Sequence, residues 1–132
     1  MYPTGGALLT ENRSIAAATS GSPVDVTAYA NIFDVRQFDW AGVYLDVTGA
    51  NAGSSGNITF YFQHSRDALD WRSCDVITVA LNANALATAA DTWAALDVRA
   101  GVGYIRLASV GNSDATYAAT VNGELGGKSR AR

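Results

Sequence analysis

The sequence predicts an all-β chain: an antiparallel β-sandwich, jelly-roll-like or Greek-key, carrying an extended N-terminal arm. Three observations lead there. Short apolar/polar alternations recur along the chain, as expected when one face of each strand is buried and the other is wet. Turn signals separate them at even spacing, and no long stretch carries a helical period. The 132 residues are 48 % apolar, enough to furnish one core, and 13 glycines supply turns.

The clearest alternation lies between Trp40 and Trp71. Ala41, Val43, Leu45 and Val47 alternate with Gly42, Tyr44, Asp46 and Thr48, and then Ile58, Phe60 and Phe62 alternate with Thr59, Tyr61 and Gln63. The segment Asn51–Gly56 between them has no large apolar side chain, so the two strands read as a hairpin. SRDALDW then forms a turn in which Asp67 and Asp70 accept backbone hydrogen bonds. Trp71 is expected to close that turn against Phe60 and Phe62.

Residues 1–23 surround the weakly apolar ALLTENRSIAAAT with Pro3, Gly5, Gly6, Gly21 and Pro23. They read as an extended arm with one edge strand near Ser14–Thr19, removable without unfolding the rest. Residues 24–127 form the sandwich domain and residues 128–132 a basic tail. Within the domain, VDVTAYA and IFDVR are short strands, and Arg72–Leu81 is a longer one with Ile77, Val79 and Leu81 on one face. The Ala-rich NANALATAAD is a loop or a helical turn or two. Thr92–Val98, YIRLASV and Ala115–Leu125 complete seven or eight strands, with GNSD a turn before the last.

Charge and composition exclude several roles. Lys128, Arg130 and Arg132 hold three of the nine basic side chains, so the rest of the chain sets six against twelve acidic ones. An acidic body disfavours nucleic acid, whose phosphates need a basic face. No apolar run reaches the roughly 20 residues that span a bilayer, so no membrane contact is expected. The start MYPTGGALLTENR has neither a basic n-region nor an apolar h-region, which implies a chain made in the cytoplasm. Cys74 is the single cysteine and His64 the single histidine, so neither a disulfide nor a metal cluster is expected. His64 is expected to bond the turn that follows it. No nucleophile elbow, phosphate loop or kinase signature occurs, and no enzymatic activity or cofactor is expected.

Two resemblances span most of the chain. ALLTENRSIAAATSG, AGVYLDVTG, ITFYFQHS, a D-x-x-x-W turn, an Ala-rich loop, GYIRLASV and YAATVNGEL with its basic tail resemble, in that order, small structural proteins that decorate or cement tailed-bacteriophage capsids. That resemblance implies a virion protein on the capsid surface, self-associating there as a homo-oligomer and held by contacts with the major capsid protein. Contact candidates are Leu8, Leu9, Arg13 and Ile15 in the arm, with Lys128, Arg130 and Arg132 in the tail.

FQHSRDALDW, GYIRLAS and GELGG are similar to discoidin-like, galactose-binding sandwiches, although Ala68 stands where a turn glycine is usual. This second resemblance implies a carbohydrate-binding module for host or mucus glycans. Because sugars stack on aromatic faces, Trp71, Trp93 and Tyr104 are contact candidates with Asp67 and Arg106 as polar partners, the alternative for these rings being core and sheet-surface packing. A tail or baseplate component is a further alternative.

Overall fold

In two of the longest strands a row of alternate side chains is withdrawn from water. Ala41, Val43, Leu45 and Val47 have no exposed surface, nor do Ile58 and Phe60, and Phe62 is nearly as buried. Full burial of each such aliphatic or aromatic side chain contributes about 1.5–3 kcal/mol. In the computed structural model these rows face each other across one core. The structure describes residues 2–50, 53–81, 89–96 and 102–129, the side chains of 89–93 excepted.

Ten strands and no helix occur among the described residues: β1 (Gly6–Ala7), β2 (Arg13–Ile15), β3 (Val24–Asp25), β4 (Phe33–Asp34), β5 (Trp40–Gly49), β6 (Gly56–Ser65), β7 (Arg72–Leu81), β8 (Ala89–Leu96), β9 (Tyr104–Asn112) and β10 (Ala119–Lys128). They form two antiparallel sheets of five strands, a β-sandwich. The first runs β1-β10-β5-β8 with β2 also on β10; the second runs β3-β9-β6-β7 with β4 also on β9.

The pairings nest. β6 pairs with β7, β5 with β8, β3 and β4 with β9, and β1 and β2 with β10. The chain is one long antiparallel ladder wound on itself, and two further ladders, β10 with β5 and β9 with β6, close the coil.

This winding corrects the expected hairpin between Trp40 and Ser65. β5 and β6 alternate as predicted but lie in different sheets. Two strands with matching apolar rows satisfy both rows equally well side by side or face to face. The loop between them crosses the sandwich, and Ser55 in it donates its backbone N–H to Asp114 Oδ2 at 2.8 Å. The true hairpin is β6–β7, joined by Arg66–Trp71.

The N-terminal segment is part of the sandwich rather than an arm standing off it. Leu8, Leu9 and Ile15 have no exposed surface and belong to the core. β1 and β2 pair with the two halves of β10, and between them the chain dips inward beside Gly123. A Cβ on Gly123 would run into the Tyr44 carbonyl oxygen and come within 2.9 Å of Leu8 Cδ1. The missing side chain therefore makes room for Leu8. The Asn122 side chain serves the displaced backbone, accepting from Leu9 N–H at 3.0 Å and donating to Leu9 carbonyl at 3.4 Å. Deleting residues 1–19 would empty three fully buried sites, so residues 1–23 do not separate from 24–127.

A second lock holds the β9–β10 corner. Asn112 donates through Nδ2 to the carbonyls of Ile15 and Tyr117 and accepts from Asp114 N–H at 2.9 Å. Asp114 in turn accepts from the N–H groups of Ser55, Thr116 and Tyr117. Those donors hold its carboxyl below the ordinary value, the Ser55 N–H contributing most. Both side chains are buried, and no buried side-chain nitrogen or oxygen among the described residues lacks a partner.

β6 carries register shifts at Tyr61–Phe62 toward β9 and at Tyr61–Gln63 toward β7. In β9 the extra residue is Ala108, so Leu107 and Ala108 are buried in succession. Bulges raise local twist and re-aim the side chains beyond them. Here they set Gln63 opposite Arg106 on the outer face of the second sheet.

The predicted Arg72–Leu81 strand has those bounds in β7. The Thr92–Val98 strand lies earlier, as β8, and most of NANALATAAD falls outside the described residues. β10 begins at Ala119 because the Asn112–Asp114 lock turns the chain before it.

Candidate functional site

The turn after β6 is built by two short side chains. Ser65 Oγ accepts from the N–H groups of Asp67 and Ala68 and donates to Asp67 Oδ1 at 3.0 Å. Asp67 Oδ1 also accepts from the N–H groups of Leu69 and Asp70, at 2.9 and 3.0 Å. These donors, Asp70 N–H first, hold the Asp67 carboxyl below its ordinary value. Asp67 thus acts as expected within the turn, while Ser65 rather than His64 ties it. Ala68 takes a left-handed φ of 62°, the conformation that favours glycine.

The turn delivers Trp71 to the outer face of the second sheet. The Arg106 guanidinium lies over its indole, 4.3 Å from the ring centroid, and Arg106 Nε donates to Gln63 Oε1 at 3.0 Å. Partial burial pushes the Arg106 pKa down, and the Asp25 carboxylate opposes that shift. Asp25 is held ionised by the backbone N–H of Thr27 and then its hydroxyl. Phe60 and Phe62 point into the core, so the expected packing of Trp71 on them does not occur; the arginine covers it instead.

Two residues before Arg106 on β9, Tyr104 meets the edge of Tyr2 at 5.3 Å between ring centroids. The Arg36 guanidinium lies 5.2 Å from the Tyr104 ring and is bidentate on Asp34, at 3.0 and 2.7 Å. The outer face therefore carries two rings, Trp71 and Tyr104, each with an arginine against it, and Tyr2 packed at an angle on the second. Such rings and planar cations offer flat surfaces to sugar faces or to another protein. Tyr2, Arg36, Asp25 and Gln63 escaped sequence reasoning. The one available signal was the Asp34-x-Arg36 spacing, which sets both side chains on one face of an extended segment.

The remaining candidates are dispersed. Trp93 sits on β8 of the first sheet, in register with Tyr44, and so lies on a different sheet from Trp71. Among the proposed capsid contacts, Leu8, Leu9 and Ile15 are inside the core and cannot touch a partner. Arg13 binds Glu11 at 2.7 Å and lies over Tyr29 at 3.6 Å. Lys128 ends β10 opposite Trp40, with its Nζ 5.7 Å from that ring, and Arg130 and Arg132 lie outside the described residues. Trp40 is 51 % exposed.

No protein-family model, curated protein or solved structure matches the chain.

Among the described residues no group of three or more His, Cys, Asp or Glu side chains is placed to hold a metal. Cys74 is half-buried against the core. The described residues contain no helix long and apolar enough to cross a membrane.

Proposed function

We propose that this chain is a non-enzymatic virion structural protein that decorates and stabilises a phage capsid shell. The capsid assignment comes from the sequence resemblance. The observation that supports it is the nested strand order, which fits a jelly-roll, an architecture recurrent in viral capsid and lectin domains. A wound ladder in which no buried side-chain polar atom among the described residues lacks a partner is suited to bracing neighbours. Many copies, each binding only the assembled shell, then raise its stability by mass action. With Leu8, Leu9 and Ile15 withdrawn into the core, contact with the major capsid protein falls to surface groups: Arg13, exposed Trp40 and Lys128 with the basic tail beyond it.

The deciding experiment is the particle. Purified phage should carry the protein on the head surface at a stoichiometry near that of the capsid lattice. A location on the tail would favour the baseplate alternative, and absence from the particle would overturn the reading.

A second reading, glycan attachment, is favoured by the half-exposed Trp71 beside Arg106 and Tyr104. Asp67, whose Oδ1 serves the turn, and Trp93, on the other sheet, drop out of that site. A glycan array on the parent and on Trp71→Ala tests it: signal lost on mutation would make this the better reading.

A further inference from the structure

The ladder between the N-terminal segment and β10 is half-made at one point. Leu8 donates its N–H to the Gly123 carbonyl at 2.8 Å, continuing the register in which Gly6 faces Leu125 and Ala7 faces Glu124. In a hydrogen-bonded antiparallel pair the return bond would run from Gly123 N–H to the Leu8 carbonyl. That carbonyl accepts instead from Asn31 N–H at 2.9 Å, where the chain dips inward. The Gly123 N–H turns to the side chain before it and donates to Asn122 Oδ1 at 2.8 Å. A carbonyl bond is about 1.2 Å long, so Asn122 Cγ stands within about 4 Å of the Gly123 nitrogen.

Asn122–Gly123 is the one Asn-Gly pair in the sequence. Glycine hinders least the approach of its own nitrogen to the preceding side chain, because it has no Cβ. Packing demands it here, since a Cβ would meet the Tyr44 carbonyl oxygen and Leu8. The segment from Leu8 to Asn12 demands the asparagine. Asn122 Oδ1 accepts from Leu9 N–H at 3.0 Å, and Nδ2 donates to the Leu9 carbonyl at 3.4 Å and to Asn12 Oδ1 at 3.0 Å. By contrast, Asn112 turns its Oδ1 to the Asp114 N–H and not to that of its neighbour Ser113.

We propose that Asn122 is a modification site, at which the side-chain amide closes on the Gly123 nitrogen and hydrolyses to aspartate and isoaspartate. Hydroxide takes the Gly123 amide proton, and the nitrogen's electron pair forms a bond to Cγ. The Cγ–Nδ2 bond breaks and Nδ2 leaves as ammonia, taking a proton from water, so that a succinimide ring remains. Water then adds to either ring carbonyl, that carbon's bond to the nitrogen breaks, and the N–H returns to Gly123. One water enters, one ammonia leaves, and nothing is oxidised or reduced. The bonds to Leu9 and Asn12 hold the amide against closure, so the step waits on residues 8–12 lifting from β10. Once formed, a carboxylate has no donor for the Leu9 carbonyl. Isoaspartate also lengthens the β10 backbone by a methylene. Either product loosens the segment that carries Leu8 and Leu9 into the core.

The full chain, held at mildly alkaline pH and quenched in acid, should be followed by mass-spectrometric peptide mapping. Succinimide, then aspartate and isoaspartate, should accumulate at Asn122 before Asn112 changes. The folded parent should convert more slowly than the same chain unfolded in guanidinium chloride. Asn12→Ala removes one of the restraining bonds at an exposed position and should convert severalfold faster than the parent. Asn122→Asp, the product made directly, should melt below the parent and exchange its Leu8 and Leu9 amides faster. A parent and an Asn12→Ala chain that both stay unmodified while the unfolded chain converts overturn the site. Conversion of the folded parent at the unfolded chain's rate overturns the gate, and an Asn122→Asp chain melting with the parent overturns the loosening.

Discussion

Arg106 lies over the indole of Trp71, 4.3 Å from its centroid, while Gln63 accepts from the arginine's Nε. The pair fastens the end of the β6–β7 turn to β9, two strands' width across the outer face. An exposed cation–π pair contributes about 0.5–1 kcal/mol. Trp71→Ala should therefore destabilise by about 1–2 kcal/mol, less than the about 3–5 kcal/mol of an emptied aromatic core site. A double-mutant cycle with Arg106→Ala, read by denaturant melts, should return a coupling of about 0.5–1 kcal/mol. Zero coupling would show that the stacking contributes nothing in solution.

Gly123 sits where β10 passes the Tyr44 carbonyl and Leu8. Gly123→Ala must push β10 off β5 or expel Leu8, and overpacking of this kind costs about 1–3 kcal/mol or more. Thermal melting should place this variant well below the parent. By contrast, Gly21→Ala meets nothing within 4 Å and should melt near it.

The N-terminal segment holds core residues, so its removal should unfold the sandwich. Leu8→Ala alone should cost about 2–5 kcal/mol. Circular dichroism of a chain lacking residues 1–19 should lose the strand signal. A deletion variant that still melts cooperatively near the parent would show Leu8, Leu9 and Ile15 to be dispensable.

Ala18 is exposed and held at a left-handed φ of 58°, its N–H donating to the Asp114 carbonyl at 2.7 Å. A left-handed L-residue costs roughly 1–2 kcal/mol, which glycine avoids while losing more entropy on folding. Ala18→Gly should raise stability by about 0.5–1 kcal/mol, visible as a higher melting temperature.

Acid should weaken the fold through its turn carboxylates. Asp25, Asp34, Asp67 and Asp114 are all held below the ordinary 3.8 by hydrogen bonds to the ionised form. Their contribution is complete above the unfolded value near 3.8 and is lost as pH falls through the lower folded values. Stability should be flat near neutrality and fall below about pH 4. Asp114→Asn keeps the shape but offers one acceptor oxygen instead of two. It should cost about 1–3 kcal/mol at neutral pH and show a shallower acid slope. An unchanged slope would remove Asp114 from the acid transition.

The long strands were legible before any fold was known. The alternation in β5, β6 and β7 was legible because a period of two is imposed locally, by one wet and one dry face, whatever the neighbouring strand. The role of Asp67 was equally local, since a carboxylate two or three residues before free N–H groups needs no distant partner. Which strands share a sheet follows from long-range packing. Matching apolar rows fit a neighbour beside them or across the core, and nothing within residues 40–65 distinguishes the two. It also decided that Leu8 enters the core, because the space for it is made by Gly123, far along the chain. The outer face was decided in the same way: Trp71 meets Arg106 through a bulge and a cross-strand register, relationships that no local pattern encodes.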